Sequence, residues 1–314
     1  MIRNMNSSIF YWEYCLRSRA SLNATTDRHE VRGALIKAGY GYGCINPWPE
    51  LGDATLDEEL DHLRNGYPLV LGQRALQCAA IDGEARKSRR SLFESLEMPV
   101  CHGHLSGDDW ETVAGFSVVK VKVDGSRMLR LRDLLAKANE NFQRVRLDFN
   151  GTGNARILAS WWKSLKSAEK EVIDFVEDPC PFDIADWRMM MEEGLPLAMD
   201  RSQKSAKHGY DVAVIKPALE DIDMILQSER SDRRLVVTSY MDHAIGQMYA
   251  AYECARLRQF DLRADMFHGL ATHSLFEMDA FFDRVEMNDG QLCAPEGTGL
   301  GFDDLLEEIP WKPL

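Results

Sequence analysis

The chain has 314 residues, 45% of them apolar and 28% charged, with a formal net charge of −13. This length suffices for a barrel-sized core with a smaller domain beside it, and the acidity speaks against nucleic acid, which selects a basic face. No run of about 20 apolar residues exists to span a membrane, and Met1-Ile2-Arg3-Asn4-Met5-Asn6 lacks the apolar core of a secretory signal, so the expected location is cytoplasmic. The seven cysteines (Cys15, Cys44, Cys78, Cys101, Cys180, Cys254 and Cys293) are odd in number and form no Cys-x-x-Cys, which predicts reduced thiols.

Residues 8–45 read as a small antiparallel sheet, with strand candidates at Ile9 to Tyr14 and Val31 to Lys37 and a polar loop, Leu22 to His29, between them. Trp48 stands between Pro47 and Pro49, either as packing or as part of a lid over a ligand. Thr55 to Asn65 has an acidic start and apolar Leu56, Leu60 and Leu63, which predicts a helix. Leu69 to Asp82 predicts a second, with Ala75, Leu76, Ala79 and Ala80 as a small-residue face. The one basic run, Arg86-Lys87-Ser88-Arg89-Arg90-Ser91, is expected to be a solvated crossover between domains.

Val100-Cys101-His102-Gly103-His104-Leu105 reads as the first strand of a barrel. The runs after it carry the chemistry. They are Val118 to Val123, Val145 to Asn150, Ile173 to Pro179, Leu197 to Asp200 and Val212 to Pro217, each apolar and each carrying a charge near its C-terminal end. Lys122 to Asp148 is 26 positions, Asp148 to Glu177 is 29, Glu177 to Asp200 is 23 and Asp200 to Lys216 is 16. A β/α unit takes about 30 residues, fewer with a short helix, and barrel chemistry lies at the C-terminal mouth of the strands. Three carboxylates there, flanked by lysines, need a counter-charge, and a hard divalent cation such as Mg²⁺ supplies it. Such a site suits removal of a proton next to a carboxylate, with a lysine as base. Ala155 to Leu165 and Met248 to Leu257 read as intervening helices, Ala264 to Phe282 should hold the eighth barrel unit with Gly269 to Thr272 as a mouth loop, and Cys180 is expected to pack or to line the pocket.

At these residues the sequence resembles the enolase superfamily in its muconate-lactonizing subgroup, and within it the o-succinylbenzoate synthases. The motifs are Lys120-x-Lys122, Arg146-Leu147-Asp148-x-Asn150, Val176-Glu177-Asp178-Pro179, Met199-Asp200-Arg201-Ser202 and Val214-Ile215-Lys216-Pro217. Two weaker echoes are Gly41-Tyr42-Gly43 through Pro47-Trp48-Pro49 and Thr298-Gly299-Leu300-Gly301. The resemblance implies an α/β fold: a modified (β/α)8-type barrel, (β/α)7β, over residues 96–285. An α+β capping domain over 1–95 would close it, with the tail 286–314 packing back on that domain.

The resemblance also implies roles. Asp148, Glu177 and Asp200 would ligate Mg²⁺, with Mn²⁺ able to replace it. Lys122 would be the base, and its conjugate acid would help hydroxide leave. Lys120 would support the substrate carboxylate and hold down the pKa of Lys122. Lys216 would stabilise the enediolate from the opposite face, and Asn150 would support the ligands. Ser239, Met241 and Trp48 would contact the substrate. The loop 22–29 would close over the mouth. The implied reaction is dehydration of 2-succinyl-6-hydroxy-2,4-cyclohexadiene-1-carboxylate to o-succinylbenzoate, a hydro-lyase step of menaquinone biosynthesis acting on a small carboxylate.

Departures from the family pattern are Asp178 for Glu, Arg201 for Glu, His243 within Thr238 to Gly246, and Cys44 for Glu. Three other readings stand beside the first. The same site serves an N-succinyl- or acylamino-acid racemase or a dipeptide epimerase, with Lys122 and Lys216 as a two-base pair. His102-x-His104 is also how an amidohydrolase-type metal barrel begins, but His208, His243 and His268 do not end clean apolar runs. A barrel scaffold holding a structural ion is the non-enzymatic reading, and it has no use for the lysines. Monomer and homo-oligomer stay equally open.

Overall fold

The structure is a computed structural model that describes residues 8–19, 22, 28–105, 109–125, 131–200, 209–228, 232–261 and 263–314. Strands β1 (Ile9–Arg17), β2 (Glu30–Ala38) and β3 (Gly41–Ile45) form an antiparallel sheet. Helices α1 (Leu56–Arg64) and α2 (Val70–Lys87) follow. Thr55 and Glu58 cap α1 reciprocally through backbone and side chain, which fixes its start.

α2 lies tightly against β3. A Cβ added to Gly43 would stand 2.1 Å from the Ala75 carbonyl oxygen, and one added to Gly41 would stand 1.9 Å from that of Ala79. The predicted small-residue face of α2 therefore meets glycines, except that Ala80 is exposed. Two expectations need correction. α2 continues past Asp82 to Lys87, and Arg86 near its end is not solvated, whereas Lys87, Ser88, Arg89 and Arg90 are exposed as expected. Arg86 pairs with Asp82 at 2.6 Å and with Asp303, and donates to the Gly301 carbonyl at 2.8 Å. Asp82 also accepts the amides of Tyr42 at 2.9 Å and Leu300 at 2.6 Å, so both weaker sequence echoes converge on one buried carboxylate.

The barrel begins with β4 (Val100–Cys101) and β5 (Gly103–Leu105), separated only by His102. It continues with β6 (Val118–Lys122), α3 (Leu131–Asn141), β7 (Arg144–Asp148), α4 (Ala155–Ser164), α5 (Ser167–Val172) and β8 (Ile173–Glu177). Next come α6 (Ile184–Glu192), β9 (Leu197–Met199), β10 (Val212–Ile215), α7 (Ile222–Ser228), β11 (Arg234–Val237), α8 (Ala244–Phe260) and β12 (Phe267–His268). Strands β5 to β11 pair in parallel in chain order. Parallel bridges Leu235–Ala264 and Thr238–Gly269 join β11 to the β12 segment, and β12 pairs in parallel with β4, which closes the ring. No helix follows β12 before the chain leaves the barrel; short 3-10 turns stand there instead.

Inside the ring, Phe175, Ala198, Val212, Val214 and Val236 form their own apolar cluster. Below the mouth lies a buried charged layer. The fully buried Arg146 stacks 4.7 Å from the Phe175 ring centroid and donates to Asp174 at 2.8 Å, His102 Nδ1 at 2.9 Å and the Phe267 carbonyl at 2.9 Å. The tail first forms the hairpin β13 (Met287–Asn288) and β14 (Gln291–Leu292), which pairs with β4. Only after α9 (Asp303–Glu308) does β15 (Lys312–Pro313) join β1 in the capping sheet.

Candidate active site

The C-terminal ends of the barrel strands surround a cavity of about 460 Å³. Lys120, Lys122, Asp148, Glu177, Asp200 and Lys216 all line it, as do Asn150, Ser239 and Met241. Their convergence follows from strand register. Lys122 is the pairing partner of Asp148 across β6 and β7, and Asp148 is that of Glu177 across β7 and β8. Charges at matched heights on neighbouring parallel strands project to one mouth. Leu22 and Leu51 of the capping segment close the cavity above them.

Lys120 Nζ stands 2.9 Å from Asp148 Oδ2 and 2.7 Å from Glu177 Oε1. Lys216 pairs with Asp200, and Lys122 donates to the Leu22 carbonyl. Burial works against the charge of Lys120, but Asp148, Glu177 and Asp200 outweigh it, and the ammonium is held above its ordinary range. Burial pushes Glu177 up to about 7, with repulsion from Asp148 and Asp200 adding to it. Asp178 rises to about 8 by burial and by repulsion from Asp200 and Glu177. Asp148 is instead held low, because Lys120 overcomes the effect of its burial.

Asp148, Glu177 and Asp200 supply hard oxygen donors of the kind a divalent cation takes. No three His, Cys, Asp or Glu side chains among the described residues stand together at metal-ligand spacing; the ammonium groups of Lys120 and Lys216 stand among the carboxylates instead.

The mouth is held by unusual backbone. Asn150 (φ 48°), Asp178 (φ 41°) and Met241 (φ 51°) occupy left-handed conformations without being glycine. The Asn150 amide donates to Asp148 Oδ1 at 3.0 Å, and the Asp200 amide to Asp178 Oδ1 at 3.1 Å. The sequence marks Asp178 only as a departure from the family pattern and assigns it no role at the mouth, although it directly follows a strand-end carboxylate. Ser239 exchanges a short hydrogen bond with Thr272 at the wall.

Trp48 does not line the cavity. It is 0% exposed and donates to the Tyr240 carbonyl at 2.9 Å, supporting from behind the loop whose Tyr240 and Met241 do line it. Cys180 is likewise buried and does not line the cavity. Cys44 and His243, two of the departures from the family pattern, meet at Tyr14: its hydroxyl is 3.1 Å from Cys44 Sγ and its ring 4.8 Å from that of His243. Neither lines the cavity. Most of the loop 22–29, and Arg201, Ser202 and His208, lie outside the described residues.

The histidines do not assemble a hydrolase centre. His102 is bound to Arg146, His243 caps α8 by accepting the Ile245 amide at 3.2 Å, and His268 accepts the Val237 amide at 3.1 Å. Burial keeps His104, His243 and His268 neutral, each lowered to about 3. All seven cysteines are free thiols, as expected. No helix among the described residues is long and apolar enough to cross a membrane.

A capping α+β domain over a parallel barrel, with carboxylates and lysines at its mouth, defines an enzyme of the enolase superfamily. A mandelate racemase/muconate lactonizing protein from Herpetosiphon aurantiacus shares the fold, with a TM-score of 0.76 at 16% identity over 94% of this chain and 97% of that one. A dipeptide epimerase from Enterococcus faecalis V583, solved with Mg and the dipeptide L-Leu-L-Tyr, gives 0.74 at 16% identity over 94% and 98%. The family model described as "O-succinylbenzoate synthase, N-terminal domain" matches residues 9–85. The o-succinylbenzoate synthase of Bdellovibrio bacteriovorus is 33% identical over 98% of this chain and 98% of its own length. The chain belongs to the o-succinylbenzoate synthase family, and it is a hydro-lyase.

Proposed function

We propose that this enzyme dehydrates 2-succinyl-6-hydroxy-2,4-cyclohexadiene-1-carboxylate to o-succinylbenzoate. The observation that carries this reading is the grouping of Lys122, Asp148, Glu177, Asp200 and Lys216 around one cavity. Asp148, Glu177 and Asp200 would hold Mg²⁺, or Mn²⁺, which supplies the positive charge that a dianionic enediolate requires. Lys122 takes the proton next to the carboxylate, and as its ammonium returns that proton to the departing hydroxide. One water leaves and the ring becomes aromatic, so the step is strongly downhill. Lys216 faces the ring from another strand and stabilises the anion. Lys120 supports the substrate carboxylate, Asn150 orients Asp148, and Ser239 and Met241 shape the far wall. The capping domain, residues 1–95, and the tail from 286 keep water out of the barrel over 96–285.

The test follows loss of diene absorbance with Mg²⁺ and with chelator. Mg²⁺-dependent turnover is expected. A second reading has specific support, because Lys122 and Lys216 reach the cavity from β6 and from the end of β10, as a two-base pair requires. It is racemisation of N-succinyl or other acylated amino acids, or epimerisation of dipeptides. Solvent deuterium exchange into N-succinyl amino acids without dehydration would favour it.

A further inference from the structure

The mechanism above leaves the His104 side chain without a task. It lines the cavity from β5, where it is the pairing partner of Lys120 on β6. Its Nε2 is buried and has no hydrogen-bond partner. A buried polar nitrogen without a partner costs free energy that an apolar residue of similar size would save. Its neighbour Leu105 also lines the cavity, so the wall there already accepts an apolar side chain.

The ring behind His104 is fixed. His102 packs edge-on at 4.9 Å, and its Nδ1 lies 2.9 Å from Arg146 Nη1. Arginine only donates, so His102 Nδ1 accepts and its proton sits on Nε2. This locks His102 in one tautomer and gives His104 a rigid backing. Burial beside Lys120 and Lys122 leaves no room for a third positive charge, so the imidazole is neutral, with one donor and one acceptor.

We infer that His104 is a substrate-contacting residue whose imidazole hydrogen-bonds a substrate oxygen on the Lys120 and Lys122 face of the cavity. Two oxygens share the required chemistry: the ring carboxylate, and the hydroxyl that leaves from the face where Lys122 works. This inference rests on the dehydration reading for the identity of the substrate, but not for the contact itself.

The experiment compares His104→Leu and His104→Gln in the full chain with Mg²⁺. His104→Leu should lower kcat/KM about ten- to hundredfold, and His104→Gln, which can still hydrogen-bond, should recover to within about threefold of the unmodified enzyme. Mg²⁺ affinity and melting temperature should not fall in either. Titration with o-succinylbenzoate, which has the carboxylate but no ring hydroxyl, separates the two contacts. Weaker product binding by the Leu variant assigns the carboxylate, and unchanged product binding with slowed turnover assigns the hydroxyl. The inference is overturned if the Leu variant matches the unmodified enzyme in both, or if the Leu and Gln variants are equally impaired. Absence of dehydration by the unmodified enzyme would instead sink the proposed reaction. His104 would then be judged by the same two variants in deuterium exchange into N-succinyl amino acids.

Discussion

The indole of Trp48 donates a 2.9 Å hydrogen bond to the carbonyl of Tyr240, and through it the capping domain holds a barrel loop that lines the cavity. The same loop is held at two more points. Asn46 Nδ2 donates to the Met241 carbonyl at 3.3 Å, and the Tyr240 hydroxyl to Asp53 at 2.9 Å. Met241 keeps its left-handed backbone within this frame. Trp48→Phe fills most of the volume but leaves the Tyr240 carbonyl without its donor. It should cost about 1–3 kcal/mol of stability, read by urea unfolding. KM should rise about three- to tenfold with kcat less affected. An unchanged KM would show that the loop holds itself.

Lys122→Ala should lower turnover at least about a thousandfold. Mg²⁺ binding, followed by calorimetry, should persist, because Lys122 donates to the Leu22 carbonyl and the three proposed ligands are carboxylates at the ends of other strands. Loss of Mg²⁺ binding would mean that the lysine roles are misassigned.

Gly43→Ala would drive a methyl group into the Ala75 carbonyl. Neither α2 nor β3 can yield without opening the capping core, so a loss of about 3 kcal/mol is expected in chemical denaturation. A loss below about 0.5 kcal/mol would show that the helix and strand can separate freely.

His243 is neutral in the fold because burial lowers it to about 3. Its unfolded value is about 6.5. A depressed folded value contributes stability that is full above about pH 6.5 and is lost as pH falls toward 3. His243→Asn keeps a cap acceptor for α8 but removes the titration. Between pH 6.5 and 5 the unmodified protein should lose up to about 2 kcal/mol more than the variant. The buried carboxyls of Glu59 and Asp242, each raised to about 7, act in the opposite sense and are present in both proteins. Equal acid slopes would count against a neutral buried His243.

The barrel mouth was legible because its charges end apolar runs at a spacing the fold requires, and register then does the rest for Lys122, Asp148 and Glu177. The position of Trp48 was not legible, since two prolines fix a segment's shape without saying what lies beneath it. Arg86 looked solvated because its partners, Asp82 and Asp303, come from one turn back in its own helix and from far along the chain. His102 and His104 looked alike on a strand, yet one is bound to Arg146 and the other faces the cavity. Asp178 was visible only as a departure from the family pattern, because its role rests on a backbone amide, that of Asp200, which arrives from the next strand.

Phe10 pairs with Pro313 and Tyr11 with Lys312, so the capping sheet is built from segments at opposite ends of the described chain. During synthesis β1 leaves the ribosome long before its flanking strand, and the whole barrel is made in between. Until then β1 is an open strand edge, the kind of surface that pairs wrongly with other nascent chains. The cap therefore reaches its final form only after the barrel it covers has been made, and a half-made chain cannot carry a finished active site.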